Sequence, residues 1–297
     1  MQTEHVNCDL CGTDDYIVLW DKSEHEKAGK LRSVVIRDEQ NNIIQGRNVM
    51  CKRCGLVYVT PRMSRGELDR FYAEDYRKIY KGGNSLEAEK RHAETAYKLI
   101  SGLQGKALDI GCSTGELVKK TNFYGCGFGI EPNREHCEIA KAAGLNVENC
   151  TIEDYSPGFK FNIITMLNAL EHVTSPTAVL NKIHSLLNDG GHALISVPNL
   201  TSTTINIPVD AFLSNAHLFN FTAHALGIMM CKCGLAPEKV WLIPEEMGEK
   251  VYMLARKDVA HEIIFDDNIG QRIEITKAFL EYADRVFLLK QILNGGI

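Results

Sequence analysis

No stretch of this 297-residue chain is apolar over the length needed to cross a bilayer. Its first residues, Met-Gln-Thr-Glu-His-Val, lack the basic start and apolar core of a signal peptide. A cytoplasmic protein is therefore expected. Basic surplus is missing too: 33 Lys and Arg stand against 38 Asp and Glu, for a net charge of −5. That balance speaks against a bulk nucleic-acid binder, which displays a basic face. There is no internal repeat, no low-complexity segment and no G-x-G-x-x-G of the nicotinamide-binding type. What remains is an ordinary globular composition, 44% apolar and 24% charged. The length suffices for one large domain and a small one, or for two moderate ones. In a reducing compartment the ten cysteines are metal ligands or buried thiols rather than disulfides.

Four of those cysteines form two matched knuckles, Cys8-Asp-Leu-Cys11-Gly and Cys51-Lys-Arg-Cys54-Gly. Each knuckle turns two sulfurs toward one metal. Two of them predict a closed tetrahedral zinc site, structural because no position is left open. Short strands are expected over 16–20, 31–36, 43–50 and 56–59, which gives a small N-terminal zinc-ribbon module over residues 1–62. Residues 1–70 carry 11 Lys/Arg and 11 Asp/Glu. With four thiolates added, such a module is a poor phosphate clamp.

A helix is expected from Ser64, where Ser-Arg-Gly-Glu has capping-box spacing, and another over 87–101. Together they form a helical linker, 63–105, that contributes to the active site. From Ala107 apolar strands (107–110, 126–130, 145–148, 162–167, 192–197) alternate with helical stretches, and 239–243 and 250–255 form a hairpin. This is an α/β pattern with a mainly parallel sheet, assigned to 106–258. A tail over 259–297 contains a helix from about Ile273 to Leu293, whose apolar face suits packing or a homodimer.

The densest signal is Ala107-Leu-Asp-Ile-Gly-Cys-Ser-Thr-Gly-Glu116. A strand runs into a glycine loop and then a helix. Gly111 and Gly115 permit positive φ and close backbone approach to a ligand. Asp109, two residues before the first glycine, would repel a pyrophosphate but suits a ligand with a cationic amino-acid tail. Glu131 ends the next strand, placed to accept both hydroxyls of a ribose. Cys112 sits within the loop as a small residue. Ile152 and Glu153, in the third unit, pass the adenine position.

These residues resemble motif I and its companions in class I S-adenosylmethionine (SAM) methyltransferases over roughly 87–257. Phe161-Asn-Ile-Ile-Thr-Met-Leu-Asn-Ala-Leu-Glu-His-Val173 and Leu187-Asn-Asp-Gly-Gly-His-Ala-Leu-Ile-Ser-Val-Pro-Asn199 extend the match. The resemblance implies a Rossmann-like seven-stranded sheet with a terminal antiparallel hairpin, and SAM as cofactor. Asn162 stands where the family often has aspartate. The front, C-x-x-C-G-L-V-Y-V-x-P-R followed by Phe71, Tyr72 and Tyr76, is similar to zinc-ribbon methyltransferases, several of which act on sugars. That implies a nucleotide-linked sugar or glycan precursor as acceptor, and Tyr76 near the SAM carboxylate. Relatives with this front carry a further C-terminal domain, whereas only 40 residues follow Lys257.

Methyl transfer to a hydroxyl needs a base beside the acceptor. Glu171-His172, after the fourth strand, is best placed, with Glu171 orienting the imidazole. His217 is the second candidate, and 199–214 fits a substrate-covering loop. Asn168 ends the fourth strand beside the methionine part of SAM. Two rival readings are an RNA methyltransferase that docks through its ribbon and a non-catalytic SAM-binding protein.

Overall fold

The computed structural model describes residues 2–33, 35–71, 86–121, 126–202, 207–214, 216–245, 248–263, 272–278, 280 and 281. The front of the chain comprises β1 (Thr3–Glu4), β2 (Tyr16–Asp21), α1 (Lys22–Lys27), β3 (Ile36–Arg37), β4 (Ile43–Ile44), β5 (Arg47–Cys51), β6 (Val57–Val59), β7 (Arg62–Met63) and α2 (Arg65–Arg70). There follow α3 (Leu86–Ile100), β8 (Ala107–Ile110), α4 (Glu116–Thr121), β9 (Gly127–Ile130), α5 (Arg134–Ala142), β10 (Val147–Glu148) and β11 (Phe161–Leu167). A 3₁₀ turn, Leu170–His172, leads to α6 (Pro176–Leu186), β12 (Leu187–Pro198), α7 (Val209–Phe212), β13 (Phe219–Asn220), α8 (Ala223–Lys232), β14 (Leu235–Glu245) and β15 (Gly248–Lys257). Among the described residues no helix is long and apolar enough to cross a membrane.

The main sheet has seven strands in the order β10-β9-β8-β11-β12-β15-β14. The first five are parallel, and β15 lies antiparallel between β12 and β14. The expected seven-stranded sheet and terminal hairpin are both present. Strand β8 is buried at every residue, Asp109 included. Strand order reverses between β8 and β11. Open sheets bind ligands at the carboxyl ends of the strands flanking such a reversal. Local sequence sets the helix starts there. Asn133 caps α5 by accepting from the His136 amide at 3.0 Å. Ser175 caps α6, with Pro176 in its first turn.

The front sheet differs from a self-contained module. Its order is β13-β6-β5-β2, so its outer strand is contributed by residues 219–220. Phe219 pairs with Tyr58 and Asn220 with Val57. The buried Asn220 amide donates to Asn48 Oδ1 at 2.9 Å, tying the strand in. One apolar cluster runs from Leu10, Tyr58 and Met63 of the front to Leu108, Ile164 and Leu226 around the main sheet.

Other expectations are corrected. Among the described residues of 31–36, Ile36 alone is strand, as the start of β3. The stretch after β2 turns into α1, because the Asp21 side chain caps it by accepting from Ser23 N. Helix α2 begins after Ser64, but the Ser64 hydroxyl makes no capping bond. Of the expected tail helix, 272–278, 280 and 281 are helical, with Ile273 and Leu280 packed near Trp20, Met50 and Phe212; its remainder lies outside the described residues.

Candidate active site

The loop after β8 is held by its own strand ends. The amides of Gly111 and Cys112 donate to the Ile130 carbonyl at 2.9 and 3.1 Å. Gly111 (φ 71°), Ser113 (φ 48°) and Gly115 (φ 84°) adopt left-handed backbone, and a Cβ on Gly115 would strike Leu145. Glu131 anchors the loop, accepting from the amides of Ser113 (2.9 Å) and Asn133 (2.7 Å). Two amides pin the carboxylate at the end of β9, facing the cavity.

That cavity has a volume of about 470 Å³. Its lining includes Gly111, Ser113, Glu131, Ile152 and Glu153 together with Asn168, Ala169 and His172. Asp109 lines it as well. Its carboxyl is buried and accepts from Thr165 Oγ1 at 2.6 Å. Burial pushes this acid up to about 7, with the neighbouring Glu131 charge adding to the effect and the Thr165 hydrogen bond opposing it. Cys112 borders the cavity through its loop position, but its Sγ packs over Gly129, where a Cβ would meet it at 2.6 Å. Burial raises this thiol.

Asn168, just after β11, has φ 52°, and its Oδ1 is buried with no hydrogen-bond partner among the described residues. The next turn delivers Glu171 and His172. The Leu218 amide donates to the Glu171 carbonyl at 2.8 Å, which draws the His217 segment alongside. The His172 and His217 rings sit 5.0 Å apart, edge to face. His172 Nδ1 is 2.9 Å from the Ala216 carbonyl, and its Nε2 is 3.9 Å from Glu171 Oε1. Burial raises the Glu171 carboxyl, against the pull of the His172 charge. Burial, followed by the charges of His172, Lys22 and Lys250, holds His217 well below the usual imidazole range. The sequence-predicted trio is thus brought together. Of its members His172 lines the cavity, and Tyr76 lies outside the described residues.

Helix α3 adds residues that the sequence reading missed. Glu89 accepts from Ser113 Oγ (2.8 Å) and Thr114 Oγ1 (3.0 Å). His92 lines the same cavity and contacts Glu245 Oε2 at 2.7 Å, with Lys250 Nζ 3.0 Å from the imidazole. Burial works to raise Glu245, but His92 and Lys250 outweigh it and hold the carboxylate at about 2. The available signal was the spacing of Glu89, His92, Ala93 and Ala96 on one helical face.

The four knuckle sulfurs lie within 4.8 Å of one another. Cys8 Sγ is 3.4 Å from Cys54 Sγ, and Cys11 Sγ is 3.5 Å from Cys51 Sγ. Gly12 (φ 78°) and Gly55 (φ 77°) supply the left-handed turn after each knuckle. Sulfurs bound tetrahedrally at ~2.3 Å stand ~3.8 Å apart, so this donor set fits one ion.

Comparison with known proteins gives a family match. Residues 80–240, more than half of the chain, match a family model described as a methyltransferase domain. Ubiquinone biosynthesis O-methyltransferase of Erwinia tasmaniensis is 30% identical over 112 residues, which is 34% of this chain and 46% of that protein. The Marinobacter nauticus protein of the same name is 33% identical over 109 residues, 33% of this chain and 46% of that one. The chain thus spans about half the length of these curated relatives. Among solved structures, 1,6-didemethyltoxoflavin-N1-methyltransferase of Burkholderia thailandensis superposes with a TM-score of 0.52 at 18% identity, over 69% of this chain and 96% of that one. Magnesium protoporphyrin IX methyltransferase of Synechocystis PCC 6803 does so with a TM-score of 0.51 at 13% identity, over 66% and 100%. Both likenesses are of fold.

Proposed function

The chain belongs to this methyltransferase-domain family, and we propose that it moves the methyl group of SAM to a hydroxyl of a small polar acceptor. A nucleotide-linked sugar or glycan precursor is the first class to test. The reading rests on one observation: a single cavity joins the glycine loop and Glu131 to Asn168 and His172 at the strand-order reversal.

In this reading Glu131 takes the ribose hydroxyls, Ile152 and Glu153 border the adenine, and Asp109 faces the cationic end of the cofactor. Transfer is an in-line displacement at the sulfonium methyl, so holding donor and acceptor in line supplies much of the rate. The acceptor hydroxyl is activated at the Glu171–His172–His217 cluster. With Nδ1 engaged at the Ala216 carbonyl, His172 Nε2 is the nitrogen able to take its proton. The four-cysteine cluster holds a structural zinc ion. Its sheet carries β13, two residues beyond His217, so the ribbon serves the acceptor side of the site.

The test is incubation with methyl-labelled SAM and cell extract, followed by separation by mass and nuclease treatment. Label in the low-mass, nuclease-resistant fraction supports the proposal. Label in nuclease-sensitive polymer overturns it and makes the ribbon an RNA-docking module.

A further inference from the structure

Resting on that reading of the cavity, we propose that His92 is a positioning residue: it turns the Asn168 carboxamide so that the nitrogen faces helix α3 and the oxygen is left for the ammonium of the cofactor. The methionine tail of SAM then docks in one orientation, ammonium toward Asn168.

The orientation is set step by step from the terminal hairpin. Glu245 ends β14, and its carboxylate, held at about 2, can only accept. Oε1 accepts from the Tyr252 hydroxyl at 3.0 Å, and Oε2 from Lys250 Nζ at 2.9 Å. His92 Nε2 stands 2.7 Å from the same Oε2 and 3.0 Å from Lys250 Nζ, so two donors converge on one oxygen. In the neutral ring the single proton therefore sits on Nε2, and Nδ1 is an acceptor. The Asn168 carboxamide faces that acceptor, with Nδ2 3.4 Å from Nδ1. Reversed, the amide would set two acceptors against each other at that distance.

Fixing the nitrogen commits the oxygen. Asn168 lines the cavity, and its Oδ1 is buried with no hydrogen-bond partner among the described residues. An unmet buried acceptor carries its desolvation cost until a donor arrives. The terminal torsion of asparagine is broad, so a small turn lets the oxygen meet a donor without leaving its rotamer. Of the charged groups on the cofactor's tail, the ammonium donates and the carboxylate only accepts. The ammonium is therefore the one that Oδ1 can hold. Asp109, on the adjoining strand β8, lines the same cavity and adds the opposite charge. His92 acts on the tail through Asn168, and Glu245 acts through His92.

The test compares two ligands on the full-length, zinc-loaded chain at pH 8. One is S-adenosylhomocysteine; the other is its deaminated analogue, which keeps the carboxylate and lacks the ammonium. Calorimetry should show that wild type prefers S-adenosylhomocysteine. His92→Leu should shrink that preference about tenfold while binding the analogue as wild type does, which certifies its pocket. His92→Asn should restore most of the preference, because its carboxamide oxygen can stand in for Nδ1. In protein labelled with heavy nitrogen at histidine, two-bond proton–nitrogen correlations should place the His92 proton on Nε2. An unchanged preference in His92→Leu, a preference lost equally in His92→Asn, or a wild-type proton on Nδ1 overturns the proposal; S-adenosylhomocysteine binding by wild type then leaves the cofactor reading standing. Wild type that binds neither ligand overturns both. The expected preferences with no low-mass labelled product overturn the proposed function and leave the role of His92 standing.

Discussion

Asp109→Asn should make the empty protein more stable and a worse binder of cofactor. The acid sits at about 7 instead of its ordinary 3.8 because it is buried. Between those values the folded chain holds more protons than the unfolded one, so stability falls as pH rises through that window. At pH 8 the full penalty applies: about three pKa units, or up to about 4 kcal/mol. Asparagine removes the charge and keeps an oxygen for the Thr165 hydroxyl. At pH 8 the ligand-free variant should therefore unfold at higher urea than wild type, with the gain shrinking toward acid pH. Ligand binding runs the other way. The ammonium of S-adenosylhomocysteine favours the ionised acid, so in wild type its affinity should be flat above about pH 7 and fall about tenfold per unit below it. Calorimetric titration between pH 5.5 and 8.5 reads this directly. In Asp109→Asn the same titration should show weaker binding and a flattened profile, which separates this acid from the nearby histidines. A wild-type affinity independent of pH, or an asparagine variant less stable at pH 8, would refute the reasoning.

Glu131→Ala should raise the dissociation constant of S-adenosylhomocysteine roughly 100-fold, from two charge-assisted hydrogen bonds at about 1.5 kcal/mol each; calorimetry showing a change below tenfold removes Glu131 from the ribose. Gly129→Ala should destabilise by about 1–3 kcal/mol through overpacking against Cys112 Sγ. Adding Cys112→Ala should recover part of that loss in urea unfolding, and strict additivity would show that the two positions do not press on each other. Cys51→Ser should abolish zinc binding by elemental analysis and lower turnover while S-adenosylhomocysteine still binds, because the ribbon sheet carries β13 beside His217. Equal loss of cofactor binding would place the ribbon's influence on the whole domain instead.

The main sheet was legible because parallel strands covered on both faces read as mostly apolar runs, as Ala107–Ile110 and Phe161–Leu167 do apart from Asp109, Asn162 and Thr165. The glycine loop and Glu131 were legible because close backbone approach restricts residue choice at fixed spacing. The trio of Glu171, His172 and His217 could be named one by one, but not as a cluster. What joins them is a backbone bond between Leu218 and Glu171, which leaves no mark on side-chain pattern. Helix α1 was missed because Lys22-Ser-Glu-His-Glu-Lys27 reads as a solvated charge run, although Lys22 is fully buried and burial lowers its ammonium to about 7. His92 and Glu245 meet across 153 positions, a contact set only by the closed sheet.

The strand that closes the front sheet has a consequence for synthesis. The cysteine knuckles close between Cys8 and Cys54, early in the growing chain. Their sheet stays one strand short until Phe219 and Asn220 have been made, 161 residues after Tyr58. During that interval β6 presents an unpaired edge, with Val57, Tyr58 and Val59 destined for burial. On the ribosome the knuckle cysteines are made first and β13 much later, though still ahead of β14 and β15 of the central sheet. Nascent chains cut before residue 219 should bind zinc yet remain sticky.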